Sequence, residues 1–407
     1  MRAVTSTLPK VSIKKGREWP IARGHPWLFS GGISQAPKVD AGALVDLVDV
    51  DGKFVARGYY NPNCDIAVRV LTTRESVAID EMFFERAVSQ ALTLRGQTID
   101  KSKTNAYRLV NAEGDGLAGF IVDRYDDVLS VQCHTAGADK LVMHLTKALT
   151  HIVNPRSIVL RNDASVRQRE GLQLEQPKLL HGTMPGDLTV LENGLKFFVD
   201  PMHGQKTGYF TDQRDKRELF KNYCKNLPEH SEIANIFSYT GSFGVYARST
   251  SKTLRTINVD ESNPALAQAE RNYATNNLLD DNQLFLESDA FAFMESQLSK
   301  KKLFDATIVD PPAFAKSAKD KDKALKAYLR MNNLAIGITR PGGLLLTCSC
   351  SGSISLHEYA EVLKLAAQES QRRVQIINIM THGADHPVLA VTPESHYLKV
   401  IFCRVLD

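Results

Sequence analysis

The sequence lacks several features that define large classes of proteins. Its six cysteines form no C-x-x-C pair, which excludes zinc-ribbon and thioredoxin-like sites, and we expect no bound metal. No stretch approaches 18 consecutive apolar residues, so no membrane span is expected. The amino-terminal segment lacks the apolar run of a signal peptide, which indicates a cytoplasmic location with free thiols. Internal repeats and low-complexity tracts are also missing.

What is present is typical of a globular chain with more than one domain. The 407 residues favour two or three domains, and the 24% charged and 43% hydrophobic content excludes disordered, collagen-like and coiled-coil chains. The net charge is only +4. Residues 1–38, however, carry seven basic side chains and one acidic one, an excess of +6 that leaves −2 for the rest. This concentration of positive charge at one end indicates a polyanionic partner.

Three regions differ in their pattern of apolar residues. Residues 9–75 hold short β-like runs separated by turn signals, which predict a small β barrel. The middle region begins with an amphipathic helix and continues with hairpins, a second helix and further strands. The remainder alternates strands with helices of about 10–15 residues, as a doubly wound α/β sheet does. We therefore predict domains at 1–78, 79–190 and 191–407.

The predicted elements of the last domain determine where a ligand would bind, because ligands in this architecture lie at the carboxyl ends of the strands. We expect strands at 233–237, 253–259, 306–309 and 343–347, and helices at 242–250, 264–277, 290–299, 322–338 and 355–369.

Several ligand-binding features follow these strands. A turn with Gly241 and Gly244 comes after the first strand and lets backbone N–H groups approach a ligand, although a plain structural turn explains it equally well. Asp260 ends the next strand, 19 residues after Gly241, where an acidic residue binds a ribose hydroxyl. Asp289 opens a later helix and is either a further ligand contact or simply an N-cap.

The next strand runs into Asp310-Pro311-Pro312. Two prolines make a stiff, extended exit without N–H donors, which can present an acid and carbonyl groups to a planar ligand. The order of glycine turn, ribose acid, second acid and Asp-Pro-Pro resembles that of class I S-adenosylmethionine-dependent methyltransferases, and the Asp-Pro-Pro element resembles that of members acting on nucleobases. A dehydrogenase is disfavoured, because Asp-Pro-Pro has no role there.

Two cysteines, Cys348 and Cys350, follow at the carboxyl end of the fifth strand. Carbon 5 of cytosine or uracil is a poor nucleophile, and a thiolate that adds to carbon 6 activates it for methyl transfer. A carboxyl group near ring N3 stabilises the adduct, and Asp310 is placed to supply it. Residues two apart on a strand point the same way, so alternation does not choose between the two thiols. The other cysteines are expected to be inert fillers: Cys64, Cys133, Cys224 and Cys403.

Seven stretches, several of them long and specific, carry a resemblance to a known family. They are Gly24–Gly31, Glu113–Leu117, His203–Arg214, Asn235–Gly244, Asp310–Pro312, Ser349–Gly352 and Asp385–Pro387. Over nearly its full length the chain resembles the large-subunit rRNA (cytosine-C5) methyltransferases of the RlmI type. The resemblance implies an N-terminal β-barrel PUA RNA-binding domain, a middle mixed α/β domain and a C-terminal Rossmann-like methyltransferase domain.

The resemblance also implies roles for particular residues. The family's nucleophile falls on Cys350, and Cys348 is not required. The residues expected to bind S-adenosylmethionine are Lys206, Gly208, Phe210, Gln213, Tyr239, Gly241, Asp260, Asp289 and Asp310. The chain departs from the family at Ala313, where lysine often follows Asp-Pro-Pro, and Lys316 is the candidate that supplies this basic contact instead.

Basic residues at two places are candidates for contacts with RNA. At the amino-terminal end these are Lys14, Lys15, Arg17 and Arg23. Trp19 and Trp27 lie among them and either stack a base or pack the barrel core with Phe29. The second place is residues 313–326, where five lysines starting at Lys316 form either a solvated face or a guide for RNA.

The sequence therefore predicts an S-adenosylmethionine-dependent enzyme that methylates carbon 5 of a cytosine in 23S rRNA or a large-subunit precursor. Cys350 would attack carbon 6, and Asp310 would orient the base. Two alternatives stay open: an enzyme of similar fold that methylates guanine N2, in which Cys350 is structural, and a non-catalytic rRNA-binding assembly factor. The middle region also offers a surface through which two copies could form a homodimer.

Overall fold

A computed structural model describes residues 8–315 and 317–407, which divide into two compact units. The first unit holds the described chain up to Val190 together with Val199–Asp212 and Ala384–Pro393. The second unit holds Leu191–Phe198, Gln213–Gly383 and Glu394–Asp407. Within the described ranges, no helix is both long enough and apolar enough to cross a membrane.

The amino-terminal part of the first unit is a small β structure. Its elements are β1 (Lys10–Ile13), α1 (Glu18–Ala22), β2 (Trp27–Phe29), β3 (Ile33–Gln35), β4 (Ala43–Val48), β5 (Phe54–Tyr60) and β6 (Ile66–Thr72). The strands form one sheet in the order β2-β6-β5-β4-β1-β3, in which β1 and β4 run parallel and the other pairs antiparallel. Val45 and Leu47, two apart on β4, both face the buried core, as strand alternation requires.

The rest of the first unit is built on a second sheet. Its elements are α2 (Glu81–Thr98), β7 (Ala106–Asn111), β8 (Phe120–Tyr125), β9 (Val128–Cys133), α3 (Ala136–Val153), β10 (Ser157–Leu160) and β11 (Lys178–Gly182). The strand order is β11-β10-β9-β8-β7, and α2 and α3 contribute Phe84 and Leu145 to the core that they share with this sheet. Helix α2 begins where the Asp80 side chain accepts a hydrogen bond from the N–H of Phe83.

A short hairpin follows, made of β12 (Leu188–Glu192) and β13 (Leu195–Val199). The residues between the strands, Asn193 and Gly194, have φ angles of 50° and 82°. Positive φ at both central residues is the geometry of the type I′ turn, which Asn-Gly favours. The sequence prediction missed this hairpin, although its Asn-Gly signal was present.

The second unit is a doubly wound α/β structure. Its elements are α4 (Arg214–Cys224), β14 (Glu232–Ile236), α5 (Ser242–Arg248), β15 (Arg255–Asp260), α6 (Asn263–Thr275), β16 (Gln283–Glu287), α7 (Ala290–Ser299), β17 (Phe304–Val309), α8 (Lys321–Ile338), β18 (Thr339–Ser349), α9 (Leu356–Glu369), β19 (Val374–Met380) and β20 (Lys399–Val405). The sheet order is β16-β15-β14-β17-β18-β20-β19. Strands β14 to β18 are parallel, whereas β20 is antiparallel to β18 and β19.

Buried side chains on both faces hold this sheet between helices. Along β18, Leu345 packs with α7, α8 and α9, whereas Leu344 and Leu346 pack on the opposite face with residues of α4 and α5. This alternation is the period-2 pattern of a strand covered on both sides. The predicted fold class is confirmed, while β19 and β20 were not predicted as strands.

Candidate active site

The second unit places its candidate residues where the strand order reverses. Strand β14 pairs with β15 on one side and with β17 on the other. The next strands along the chain, β15 and β16, therefore extend the sheet to one side of β14, and β17 and β18 extend it to the other. In open α/β sheets, ligands bind in the crevice that forms at the carboxyl ends of strands at such a point. Asp260, Asp310 and Cys350 all stand at or just beyond carboxyl ends of these parallel strands.

The turn after β14 is held in a conformation that few residues adopt. Phe237, Tyr239 and Gly241 have φ angles of 59°, 47° and 73°. Glycine adopts such angles readily, whereas side chains such as those of Phe237 and Tyr239 rarely do, so the surrounding structure must hold this turn in place. At Gly241 an added Cβ would lie 2.8 Å from the Cβ of Ala269, so the backbone passes close to α6.

Asp260 joins this turn to the end of β15. Its Oδ2 accepts a hydrogen bond from the N–H of Tyr239 at 2.8 Å, and its Oδ1 accepts one from the N–H of Ser262 at 3.0 Å. The carboxylate is half-buried, and each of its oxygens keeps a second lone pair for a ligand hydroxyl. The structure therefore places Asp260, the acid predicted to bind a ribose hydroxyl, against the glycine turn.

Two hydroxyl groups in the same turn are buried without a hydrogen-bond partner among the described residues. They belong to Ser238 and Thr240, whose side chains lie beside the Gly241 turn. A buried polar group without a partner is costly, and such groups are usually satisfied by a ligand or water. These hydroxyls therefore support a ligand site at this turn.

Asp289 has a visible structural role. Its side chain accepts a hydrogen bond from the N–H of Ala292 at 2.7 Å and caps α7, while the residue itself is exposed. The N-cap interpretation is correct, and it leaves the second carboxylate oxygen available to a ligand.

Gln213 and Asp310 form the next part of the site. The Nε2 of Gln213 donates to Oδ2 of Asp310 at 3.0 Å and lies 3.7 Å from Sγ of Cys348. Gln213 is buried and Asp310 is half-buried. The glutamine therefore fixes the orientation of a carboxylate that stands directly before the two prolines.

The two candidate thiols differ sharply in access. Strand β18 ends at Ser349, so Cys348 is still within the strand and fully buried on the α4 and α5 face. Burial, together with the Asp310 carboxylate, raises the pKa of Cys348 well above its ordinary value. Cys350 lies beyond the strand and is half-buried.

The turn that carries Cys350 is fixed to the Asp-Pro-Pro segment. The Sγ of Cys350 lies 3.7 Å from the carbonyl oxygen of Pro311. The hydroxyl of Ser351 accepts a hydrogen bond from the N–H of Ala315 at 3.1 Å and lies 3.0 Å from the Tyr328 hydroxyl. These contacts bring together Asp310, the prolines and Cys350, as the sequence predicted for residues at neighbouring strand ends.

The segment Lys206–Phe210 belongs to the first unit. The Nζ of Lys206 lies 3.3 Å from Oδ2 of Asp212 and 4.1 Å from the centre of the Phe210 ring, and the residue is exposed. Gly208 is buried with a φ of 128°. Thr207 donates to Oδ2 of Asp123 at 2.5 Å, which anchors this segment to β8.

Two of the matched stretches pack against each other inside the first unit. The N–H groups of buried Arg95 donate to Asp115 and to the carbonyl oxygen of Asp385, at 2.8 Å in the second case. An added Cβ on Gly114 would lie 1.9 Å from the carbonyl oxygen of Pro387. Close packing therefore restricts which residues fit in two of these stretches, Glu113–Leu117 and Asp385–Pro387.

The amino-terminal candidates lie on the surface of the barrel. Lys14, Lys15, Arg17 and Arg23 are all exposed. Trp19 is 60% exposed, with the Arg23 guanidinium 5.6 Å from its ring centre, and Phe29 is 49% exposed. Core packing is therefore the wrong interpretation for Trp19 and Phe29. Trp27 is half-buried, and its indole N–H donates to Oε1 of Glu113 at 2.9 Å.

The second basic stretch is only partly free to contact a ligand. Lys316 lies outside the described residues. Lys321 pairs with Glu358 at 2.5 Å, whereas Lys319, Lys323 and Lys326 are exposed. Ala313 is half-buried and brings no charge to the site.

Among the remaining cysteines, three behave as expected fillers. Cys133, Cys224 and Cys403 are buried. Cys64 is not, because it is half-buried and its Sγ donates to the carbonyl oxygen of Arg169 at 3.3 Å.

Comparisons with known proteins agree on both parts of the chain. A family model for a PUA-like domain matches residues 11–73, and a model for S-adenosylmethionine-dependent methyltransferases matches residues 173–383. The chain is 37% identical over 402 residues to ribosomal RNA large subunit methyltransferase I of Klebsiella pneumoniae, which covers 98% of this chain and 99% of the relative. It is 38% identical over 404 residues to the protein of that name from Vibrio cholerae, covering 98% and 100%.

Solved structures show the same fold at lower sequence identity. A protein from Streptococcus mutans has a TM-score of 0.83 at 20% identity, with 98% of this chain and 100% of that chain covered. A methyltransferase-fold structure complexed with SAH has a TM-score of 0.84 at 20% identity, with the same coverage.

Proposed function

Because the chain belongs to the ribosomal RNA large subunit methyltransferase I family of S-adenosylmethionine-dependent methyltransferases, we propose that it methylates carbon 5 of a cytosine in 23S ribosomal RNA or its large-subunit precursor. The observation that carries this proposal is the position of Cys350. It is the thiol beyond the end of β18, half-buried, beside Pro311 and on the turn bonded to the Asp-Pro-Pro segment. Methylation of an exocyclic amine needs no thiol at this place.

The residues at the strand ends fit the cofactor. Buried hydroxyls of Ser238 and Thr240 lack partners in the described part of the chain, and the Gly241 turn brings backbone close to the crevice. S-adenosylmethionine supplies a methyl group bound to a positively charged sulfur. The residues proposed to hold it are Tyr239, Gly241, Asp260, Asp289, Gln213 and Asp310, with Lys206, Gly208 and Phe210 as the family resemblance implies.

Cys350 is proposed to begin the reaction as a thiolate. It forms a bond to carbon 6 of the cytosine ring, and the electrons displaced from the 5,6 double bond make carbon 5 nucleophilic. After carbon 5 has gained the methyl group, a base removes its proton, the bond from carbon 6 to sulfur breaks and the thiolate is regenerated. Asp310, oriented by Gln213, interacts with ring N3 and steadies the base during addition.

The exposed barrel surface supports RNA as the substrate. Four basic side chains around Trp19 can neutralise phosphates, and the indole ring can stack on an unpaired base. The target base must leave its stack to reach a half-buried thiol. We therefore propose Lys14, Lys15, Arg17 and Arg23 as RNA contacts, together with Lys316, which follows Asp-Pro-Pro in the sequence.

The product nucleoside tests the proposal. Purified protein is incubated with S-adenosylmethionine and rRNA lacking the modification, and the digested RNA is analysed by mass spectrometry. The proposal expects 5-methylcytidine at one position. N2-methylguanosine would support the guanine enzyme, and no methylated product together with no cofactor binding by calorimetry would support the assembly factor.

A further inference from the structure

Lys399 is a buried lysine beside the proposed nucleophile. It begins β20 and lies opposite Ser349 in the antiparallel register with β18. The residue is 3% exposed, and its Nζ donates to the carbonyl oxygens of Ser351 at 2.6 Å and Tyr397 at 2.8 Å. An ammonium group has three N–H donors, so these two carbonyls leave one donor for another partner.

A buried ammonium without a carboxylate partner is expensive, and none of the ion pairs among the described residues includes Lys399. Burial lowers the pKa of Lys399 to about 8, and the opposing influences are Cys350 first and Glu358 second. Glu358, at the start of α9, already pairs with Lys321 of α8. Glu358 is therefore already paired with a lysine, and the Cys350 thiol is the larger of the two acidic influences on Lys399.

Other titratable groups that face the thiol come from each neighbouring element. Tyr328 of α8 and Cys348 of β18 both interact electrostatically with Cys350, and burial raises the pKa of each, so they stay neutral near pH 7. Asp310, after β17, acts on Cys348. Among these named groups, Lys399 is the one that carries a positive charge, and its Nζ is bonded to the carbonyl of the residue after Cys350.

We propose that Lys399 is a positioning residue. Its ammonium group holds the turn that carries Cys350 through the Ser351 carbonyl and stabilises the Cys350 thiolate. The inference rests on the proposed function, because it assigns Lys399 a role only through the nucleophile. A fixed positive charge next to a thiol favours its deprotonation, and the released proton goes to solvent. The hydrogen bond to Ser351 also fixes the peptide that follows Cys350.

The pH dependence follows with a definite sign. Removing the positive charge raises the pKa of Cys350, so the thiolate fraction near pH 7 falls, whereas above both pKa values the thiol is ionised with or without the lysine. A shift of about one pKa unit makes the thiolate about tenfold rarer near neutral pH.

Alkylation of Cys350 by iodoacetamide, followed by peptide mass spectrometry from pH 5.5 to 10.5, measures this directly. Lys399→Met keeps the aliphatic stem without the charge and is expected to slow alkylation about tenfold at pH 7, with convergence at high pH. Lys399→Arg keeps the charge and is expected to retain most of the rate. Lys399→Gln, which keeps N–H donors, is the second uncharged variant in case the Met variant does not fold.

Two controls separate this effect from a general disturbance. Cys64 is half-buried in the first unit, and its alkylation is expected to be unchanged in every variant. Lys364→Met removes an exposed lysine paired with Glu361 and is expected to leave the Cys350 profile as it was. An unchanged Cys350 profile in a folded, uncharged Lys399 variant would overturn the inference. Since alkylation needs no RNA, failure to find 5-methylcytidine would overturn the proposed function and leave this result standing.

Discussion

The carboxyl ends of the strands in the second unit and the basic barrel surface of the first unit recognise ligands by different physical means. At the strand ends, half-buried groups are fixed by hydrogen bonds, such as those from Tyr239 and Ser262 to Asp260 and from Gln213 to Asp310. On the barrel surface, the candidate side chains are exposed. The first region should therefore depend on single atoms, and the second on summed charge.

The largest expected effect is at the proposed nucleophile. Cys350→Ala should reduce methylation by at least about 10³-fold, because the covalent route is lost while the fold is kept. Cys348→Ala is the matched control and should keep activity within about threefold, since that thiol is buried in the strand. Methyl transfer measured with labelled cofactor checks both. Full activity of Cys350→Ala would contradict the expectation that the strand-end site depends on single atoms.

The next largest effect concerns the cofactor. Asp260→Asn removes a charged acceptor and should weaken S-adenosylmethionine binding about 10- to 100-fold, as measured by calorimetry. The control is Asp305→Asn at the opposite end of the sheet, where the carboxylate accepts from the N–H of Glu232 and pairs with Arg340. Equal losses in the two variants would mean that general destabilisation, and not ligand contact, explains the result.

On the barrel surface, substitutions should matter together. Replacing Lys14, Lys15, Arg17 and Arg23 by glutamine should weaken RNA binding about tenfold and reduce the slope of log affinity against log salt by about 3, since each contact to single-stranded phosphate contributes about 0.7. Affinities at several salt concentrations check this.

The control for that set uses exposed basic residues whose charge is balanced by a neighbouring acid. They are Lys103, Lys147, Arg330 and Lys364. The same glutamine replacements there should leave the slope nearly unchanged. An equal change in both sets would show that overall charge, and not this surface, controls binding.

The smallest expected effect is at Trp19. Trp19→Ala should weaken RNA binding about fivefold through loss of stacking, and the loss should persist at high salt, unlike that of the basic set. Trp19→Phe should keep part of the affinity, and Met82→Ala, which removes another exposed apolar side chain of the first unit, should have no effect. A loss of affinity that vanishes in high salt would show that Trp19 contributes to electrostatic binding and not to stacking.

Much of the second unit could be predicted because its signals are local. The strands that became β14, β15, β17 and β18 alternate with helices in the sequence, and the acids at their ends follow from strand boundaries. Strand alternation left the choice between Cys348 and Cys350 open, and the family resemblance implied Cys350. In the structure, the strand end at Ser349 separates the two side chains.

Other features depend on contacts between distant parts of the chain. Lys399 was missed because its place beside Cys350 requires β20 to insert next to β18, although the apolar run from Val400 to Cys403 was a strand signal. The packing of Asp385–Pro387 on Gly114 involves residues more than 250 positions apart, which no local pattern reports.

Covalent trapping tests the central claim most directly. RNA carrying 5-fluorocytidine at the target position has no proton on carbon 5 to lose, so after methyl transfer the bond from the thiol to carbon 6 cannot break. The account predicts a stable protein–RNA adduct whose digested peptide carries the nucleotide on Cys350, with no adduct for Cys350→Ala. An adduct on Cys348, or normal methylation of unmodified RNA without any adduct on the fluorinated one, would contradict it.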